Sequence, residues 1–106
     1  MLRCIPRLVV VCGNSMYPTY KDGEYLFTTP VFSFSKIKEG DVLIFRTPYD
    51  QNRVAIKRVA LKSSATKEIL FLGDNSDDSY DGRNYGFVPF NYVLGKIIDQ
   101  RIKKGE

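Results

Sequence analysis

The chain predicts a mainly β fold: a single compact domain of coiled antiparallel sheets or a partly open barrel. Short runs rich in Val, Ile, Leu and Phe recur along its 106 residues, and turn-forming stretches separate them. No window keeps apolar residues at helical spacing for three turns. In chain order the strand candidates are "RLVVV", "EYLFTT", "DVLIFRT", "VAIKRVAL", "EILFLG" and "VLGKII". Between them lie "KDGE", "KEGD", "TPYDQN", "KSSATK" and the long polar stretch "GDNSDDSYDGRNYG", whose Gly, Asn, Asp, Ser and Pro residues suit turn backbone angles. "MYPTYK", after the first strand, is the place for one helical turn.

An apolar share of 43% in a chain this short supports one modest core, so residues 1–106 read as a single domain. Sixteen Lys and Arg against twelve Asp and Glu give a net charge of +4, several of the basic residues lying in the tail 99–106. No basic block with interleaved aromatics accompanies them, which argues against a nucleic-acid partner. Cys4 and Cys12 would lie roughly 26 Å apart on one extended strand, too far for a disulfide, and with no His or CxxC spacing they make a poor zinc site. Reduced thiols fit a cytoplasmic protein. The apolar run near the start is five residues long, too short for a membrane span.

The sequence contains no histidine, which removes Ser-His-Asp and Cys-His machinery and nearly all histidine-ligated metal sites. A serine nucleophile would therefore need lysine as its base. Ser15, in "CGNSMYPTY", has Pro18 three residues on, so a Ser-x-x-Lys pair is not available there. Lys57 in "VAIKRVAL" is the best base: within an apolar strand it points outward or is held in a dry pocket, with Arg58 on the opposite side. A free lysine titrates near 10.4 and a base for neutral pH needs roughly 7 to 8, so the pocket must disfavour the ammonium by about 3–5 kcal/mol. Burial supplies this, provided no carboxylate lies close enough to reverse it.

Four stretches, "GNSMYPTYKDGEYLF", "IKEGDVLIF", "AIKRV" and "GDNSDDSYDGRNYGFVP" with "LGKI", resemble in content and order the boxes of the type I signal peptidases, Ser/Lys serine proteases. They span residues 13–97, and the resemblance implies that family's β catalytic core. It implies that Ser15 is the nucleophile, Lys57 the general base, and Ser79 the hydroxyl that orients the lysine. Asp81 and Arg83 correspond to a charged pair bracing the loop, and Gly73, Asp74 and Asn75 to the turn that opens it. Gly13 and Asn14 form the nucleophile turn, where the Ser15 N–H is the expected oxyanion donor. Met16 reads either as substrate floor or as core.

The implied partner is a precursor protein with an N-terminal leader. No metal or cofactor is called for. Without an anchor or a large accessory region, the chain most resembles the short nickel-type superoxide dismutase maturation proteases. A general signal peptidase acting on exported preproteins at a membrane, and an inactive relative acting as a binding module, are the alternatives. Phe27, Phe32 and Phe34 form an aromatic run that leaves membrane contact or precursor docking open, against plain core filling. A calcium loop through Asp77, Ser79 and Asp81 fails in its second half, because Arg83 follows Gly82 and Val88 stands where a closing Glu belongs. A self-cleaving repressor would need a DNA-binding segment for which this chain has no room.

Overall fold

The computed structural model describes residues 8–98, so Cys4 and the basic tail lie outside the described residues. Strands β1 (Leu8–Val10), β2 (Tyr25–Thr29), β3 (Val42–Arg46), β4 (Val54–Ser63), β5 (Glu68–Leu72), β6 (Val88–Pro89) and β7 (Val93–Ile98) make one antiparallel sheet. Its order is β1-β2-β7-β3-β4-β5-β6, and it curls into a half-barrel. Six of the strands fall on the apolar runs of the sequence. The seventh, β6, is a two-residue pairing with β5 and holds Pro89, so no alternating pattern announces it.

Strand β3 is the centre of the molecule. Four of its five residues are buried, because both of its faces are covered. Val42 and Ile44 pack with Val11, Met16, Leu26 and Ile97, while Leu43 and Phe45 pack with Val59, Ile69, Phe71 and Val88. The Phe45 and Phe71 rings stack with centroids 3.9 Å apart, holding β3 and β5 across β4. Strand β4 carries a bulge at Ala60, where the pairing jumps from Val59–Phe71 to Leu61–Leu70.

Two parts of the polar stretch 73–86 become ordered turns rather than open loop. A 3₁₀ turn covers Ser76–Asp78, and a one-turn helix, α1, covers Gly82–Tyr85. α1 owes its existence to a capping box: Asp81 accepts from the Arg83 N–H, while the Asp81 N–H donates to the Asn84 side chain. The aromatic run divides. Phe27 is 51% and Phe32 88% exposed, whereas Phe34 packs edge-on against Phe90.

Strand direction reverses at each antiparallel neighbour, so β1 and β4, four steps apart in the sheet order, run the same way. The curl turns them toward each other across a cleft of about 460 Å³. Val9, Val10, Ile44, Ile56 and Leu94 give it an apolar lining, and Ser15 and Lys57 stand in its wall.

Candidate active site

Ser15 occupies a turn that begins at Gly13, whose φ of 91° lies in the region that favours glycine. The Gly13 N–H donates to Asp22 Oδ1 at 2.7 Å. The expected helical turn at "MYPTYK" is instead a non-helical turn: the Tyr17–Pro18 peptide is cis, and the segment is closed by the Tyr20 N–H on the Met16 carbonyl at 2.9 Å. Met16 is fully buried in the core beneath this turn, and the cleft lining does not include it. Of its two readings, core packing is what the structure displays. Ser15 itself is half-buried, and among the described residues no protein acceptor takes its backbone N–H.

Lys57 stands on β4 directly opposite Leu43 and is only 7% exposed. Its amine donates to Ser15 Oγ at 2.9 Å, joining residues 42 positions apart. Burial pushes the Lys57 amine below its ordinary range, while Asp81 and then Asp78 pull it back up. The expectation that no carboxylate lies near the base therefore needs correction. The lysine tolerates Asp81 because that charge is already matched. Arg83 grips Asp81 through two contacts, Nε to Oδ1 at 3.0 Å and Nη2 to Oδ2 at 2.6 Å. Burial pushes the Asp81 carboxyl up, yet hydrogen bonds from Arg83, the Gly73 and Arg83 N–H groups and Ser79 together hold it well below the usual carboxylate range.

Ser79 is placed differently from the resemblance's expectation. Its hydroxyl donates to Asp81 Oδ2 at 2.9 Å, and among the described residues no hydrogen bond joins it to Lys57. The buried anion is the stronger acceptor and takes the hydroxyl proton. Gly73 is wedged between Ser79 and the serine turn: a Cβ there would sit 2.7 Å from Ser79 Cβ and 2.8 Å from the Ser15 carbonyl oxygen. The turn it opens is bonded to the Ser15 turn by the Asn75 N–H on the Ser15 carbonyl (2.8 Å) and by Asn75 Nδ2 on the Asn14 carbonyl (3.0 Å).

Sequence reasoning missed Arg58 and Thr19 as site-building residues. Arg58 holds Asp74 in a fork, Nε to Oδ1 at 2.9 Å and Nη2 to Oδ2 at 2.8 Å, and reaches the Gly40 carbonyl with Nη1. The Thr19 hydroxyl donates to the same carboxylate at 2.6 Å. Asp74 thus clamps the serine turn to β4, and the Arg58 hydrogen bond leads the effects that lower its pKa. Replacing Asp74 with Ala is expected to cost about 2 kcal/mol in urea unfolding, given the usual worth of charge-assisted hydrogen bonds on a partly exposed pair. An unchanged midpoint would show that the clamp bears no strain of folding.

The sequence pattern of the family described as Signal peptidase, peptidase S26 matches residues 3–61 and 62–99, which include both Ser15 and Lys57. The chain belongs to the peptidase S26 signal peptidase family. It is 30% identical over 110 residues to mitochondrial inner membrane protease subunit 1 of Mus musculus, covering 85% of this chain and 66% of that protein. It is 28% identical to mitochondrial ATP-independent inner membrane protease subunit 1b of Arabidopsis thaliana, covering 81% and 64%. Thylakoidal processing peptidase 1, chloroplastic, also of Arabidopsis thaliana, is 24% identical, with 81% and 39% covered. The chain thus spans 64–66% of the length of the mitochondrial relatives.

Against that family background, the carboxylates of the Asp77–Asp81 loop do not converge. Among the described residues no group of three or more His, Cys, Asp or Glu is arranged to hold a metal ion. Asp81 in particular is turned inward onto Arg83. No helix of the described residues is long and apolar enough to cross a membrane. Cys12 is a free, exposed thiol on the cleft wall.

Proposed function

We propose that this S26 family member is a serine endopeptidase that removes an N-terminal leader from a precursor protein, using Ser15 as nucleophile and Lys57 as general base. The observation that carries this reading is the 2.9 Å contact between Lys57 Nζ and Ser15 Oγ at the wall of an apolar cleft, with the amine held below its ordinary range by burial. In the first half-reaction Ser15 Oγ attacks the scissile carbonyl carbon and Lys57 takes the hydroxyl proton. The Ser15 N–H, without a protein acceptor among the described residues, donates to the oxyanion. Collapse of the intermediate breaks the C–N bond, and the ammonium returns its proton to the leaving amine. The leader remains as an ester on Ser15. A water, giving a proton to Lys57, then attacks that ester; the C–O bond to Ser15 breaks, the ammonium returns its proton to Ser15 Oγ, and the leader leaves with a carboxylate terminus.

The cleft suits an extended leader. Among the described residues, β5 pairs with β4 only from Arg58 onward, and β1 pairs only with β2. Residues 54–57 and β1 therefore have backbone edges that a peptide strand can join, its side chains alternating into the apolar lining.

Two precursor classes follow from the resemblances: a nickel-type superoxide dismutase precursor, and a preprotein processed at a membrane as the names of the mitochondrial relatives suggest. Offering each precursor to the purified protein and sequencing the new amino terminus separates them. Ser15→Ala is expected to lower processing of the cognate precursor by about 10⁴-fold or more, since residues that act as a catalytic unit fail together. Wild-type processing by that variant would end the peptidase assignment.

A further inference from the structure

Four arginines lie among the described residues, and three are committed to the protein's own structure. Arg58 holds Asp74, Arg83 holds Asp81, and Arg46 donates to the Gln51 carbonyl at 3.0 Å. Arg53 differs. Its backbone is fixed, with its N–H on the Asp50 carbonyl at 2.9 Å and its own carbonyl accepting from Thr47 at 3.0 Å. Its guanidinium has no hydrogen-bond or ion-pair partner among the described residues, and it lines the same cleft as Ser15 and Lys57. Of the described residues lining that cleft, only Lys57 and Arg53 carry a basic side chain, and none carries a carboxylate. Lys57 is spoken for by Ser15.

We infer that Arg53 is a specificity-determining residue that reads an acidic side chain in the leader, about five residues before the cut. This assignment rests on the leader-binding reading of the cleft. Arg53 and Lys57 are four positions apart on one chain, so they share a face and stand about 13 Å from each other along the strand direction. A peptide extended beside β4 advances by the same step. With the residue before the scissile bond at Lys57, the residue four positions upstream meets Arg53.

The leader belongs on this side of the dyad because it is the part that stays esterified to Ser15 after the amine departs, and so the part a cleft must retain. It then runs in the direction of β4, from Arg53 toward Lys57. A carboxylate at that position gives Arg53 a planar, two-pronged partner, and a lysine there meets a like charge.

The test uses three quenched twelve-residue peptides with Ala on both sides of the cut, differing only in Asp, Ala or Lys at the fifth position before it. The ratio of kcat/KM for the Asp and Lys peptides is taken within each enzyme, so a change in overall rate cancels. Wild type is expected to favour Asp over Lys by about four- to tenfold at low salt, the scale of exposed ion pairs counted for attraction and repulsion together. The preference fades as salt screens it, and Arg53→Glu reverses it. An equal ratio in the two enzymes would overturn the assignment. Affinities of the same peptides for Ser15→Ala and for Ser15→Ala/Arg53→Glu give the second readout, independent of catalysis. If wild type cleaves none of the three, the peptidase reading fails, while the binding arm still decides whether Arg53 reads charge.

Discussion

Replacing Lys57 with methionine is expected to lower kcat/KM by about 10⁴-fold while making the fold more stable at pH 7. On the proposed mechanism the activity loss follows from removing the one basic group that, among the described residues, contacts Ser15 Oγ, where general-base assistance and its loss as a unit with the nucleophile amount to several orders of magnitude. The stability gain has a separate cause. Burial lowers the Lys57 pKa from its ordinary 10.5, so between the folded and unfolded values the unfolded chain binds more protons than the native one. Stability of the wild type therefore rises with pH through that window and levels off above 10.5, and below the folded pKa the full penalty of a buried ammonium remains.

Methionine matches the length of the lysine stem and fills the same space without a charge. Its variant loses this pH dependence and melts higher at neutral pH. The activity of the wild type should climb along an alkaline limb whose midpoint lies below the ordinary lysine value, because only the neutral amine accepts a proton. Thermal unfolding across pH 6–11 for both proteins, with the pH profile of wild-type kcat/KM, checks the two halves. A Lys57→Met protein that melts lower at pH 7 would show that the amine is solvated and the base assignment unfounded.

Much of the fold was legible because strands declare themselves locally. "DVLIFRT" and "EILFLG" carry β-branched and aromatic residues between turn signals, and a strand buried on both faces has an unbroken apolar run. β6 was hidden by its length, and α1 by its composition, since its helicity comes from the Asp81–Asn84 cap and not from any apolar period. For the site, the absence of histidine made lysine the needed base and Lys57 its best candidate, and the resemblance to the signal peptidase boxes paired it with Ser15, which the fold brings into contact with it. What stayed invisible depends on tertiary placement. Nothing near Arg58 in the sequence says that its partner is Asp74, nor that Thr19, 55 residues from Asp74, shares that carboxylate. The same holds for Ser79, whose hydroxyl turns to Asp81 because that carboxylate is fully buried beside it, a fact that no spacing encodes. Arg53 carried no signal in the sequence, and only the curl of the sheet lays it along the cleft.

Substituting Gly73 with alanine should cost at least about 100-fold in kcat/KM and roughly 1–3 kcal/mol of stability, the scale of a misplaced reacting group and of an overpacked core. Gly73 is buried, and the added methyl would overlap the Ser79 hydroxyl and stand 2.8 Å from the Ser15 carbonyl oxygen. The Ser79 hydroxyl can turn away, but Ser79 Cβ, 2.7 Å from the added methyl, moves only with its backbone. The Ser15 carbonyl is backbone, held by the Asn75 N–H at 2.8 Å, so relieving the clash means moving the Ser15 turn itself. A Gly73→Ala/Ser79→Gly double variant separates the two contributions. It removes the side-chain overlap and is expected to recover part of the stability. It leaves the methyl against the Ser15 carbonyl, so catalysis stays low. Recovery of both together would mean that the Ser79 overlap alone carries the damage, and wild-type values for the single variant would show that Gly73 does not set the distance from Ser15 to Lys57.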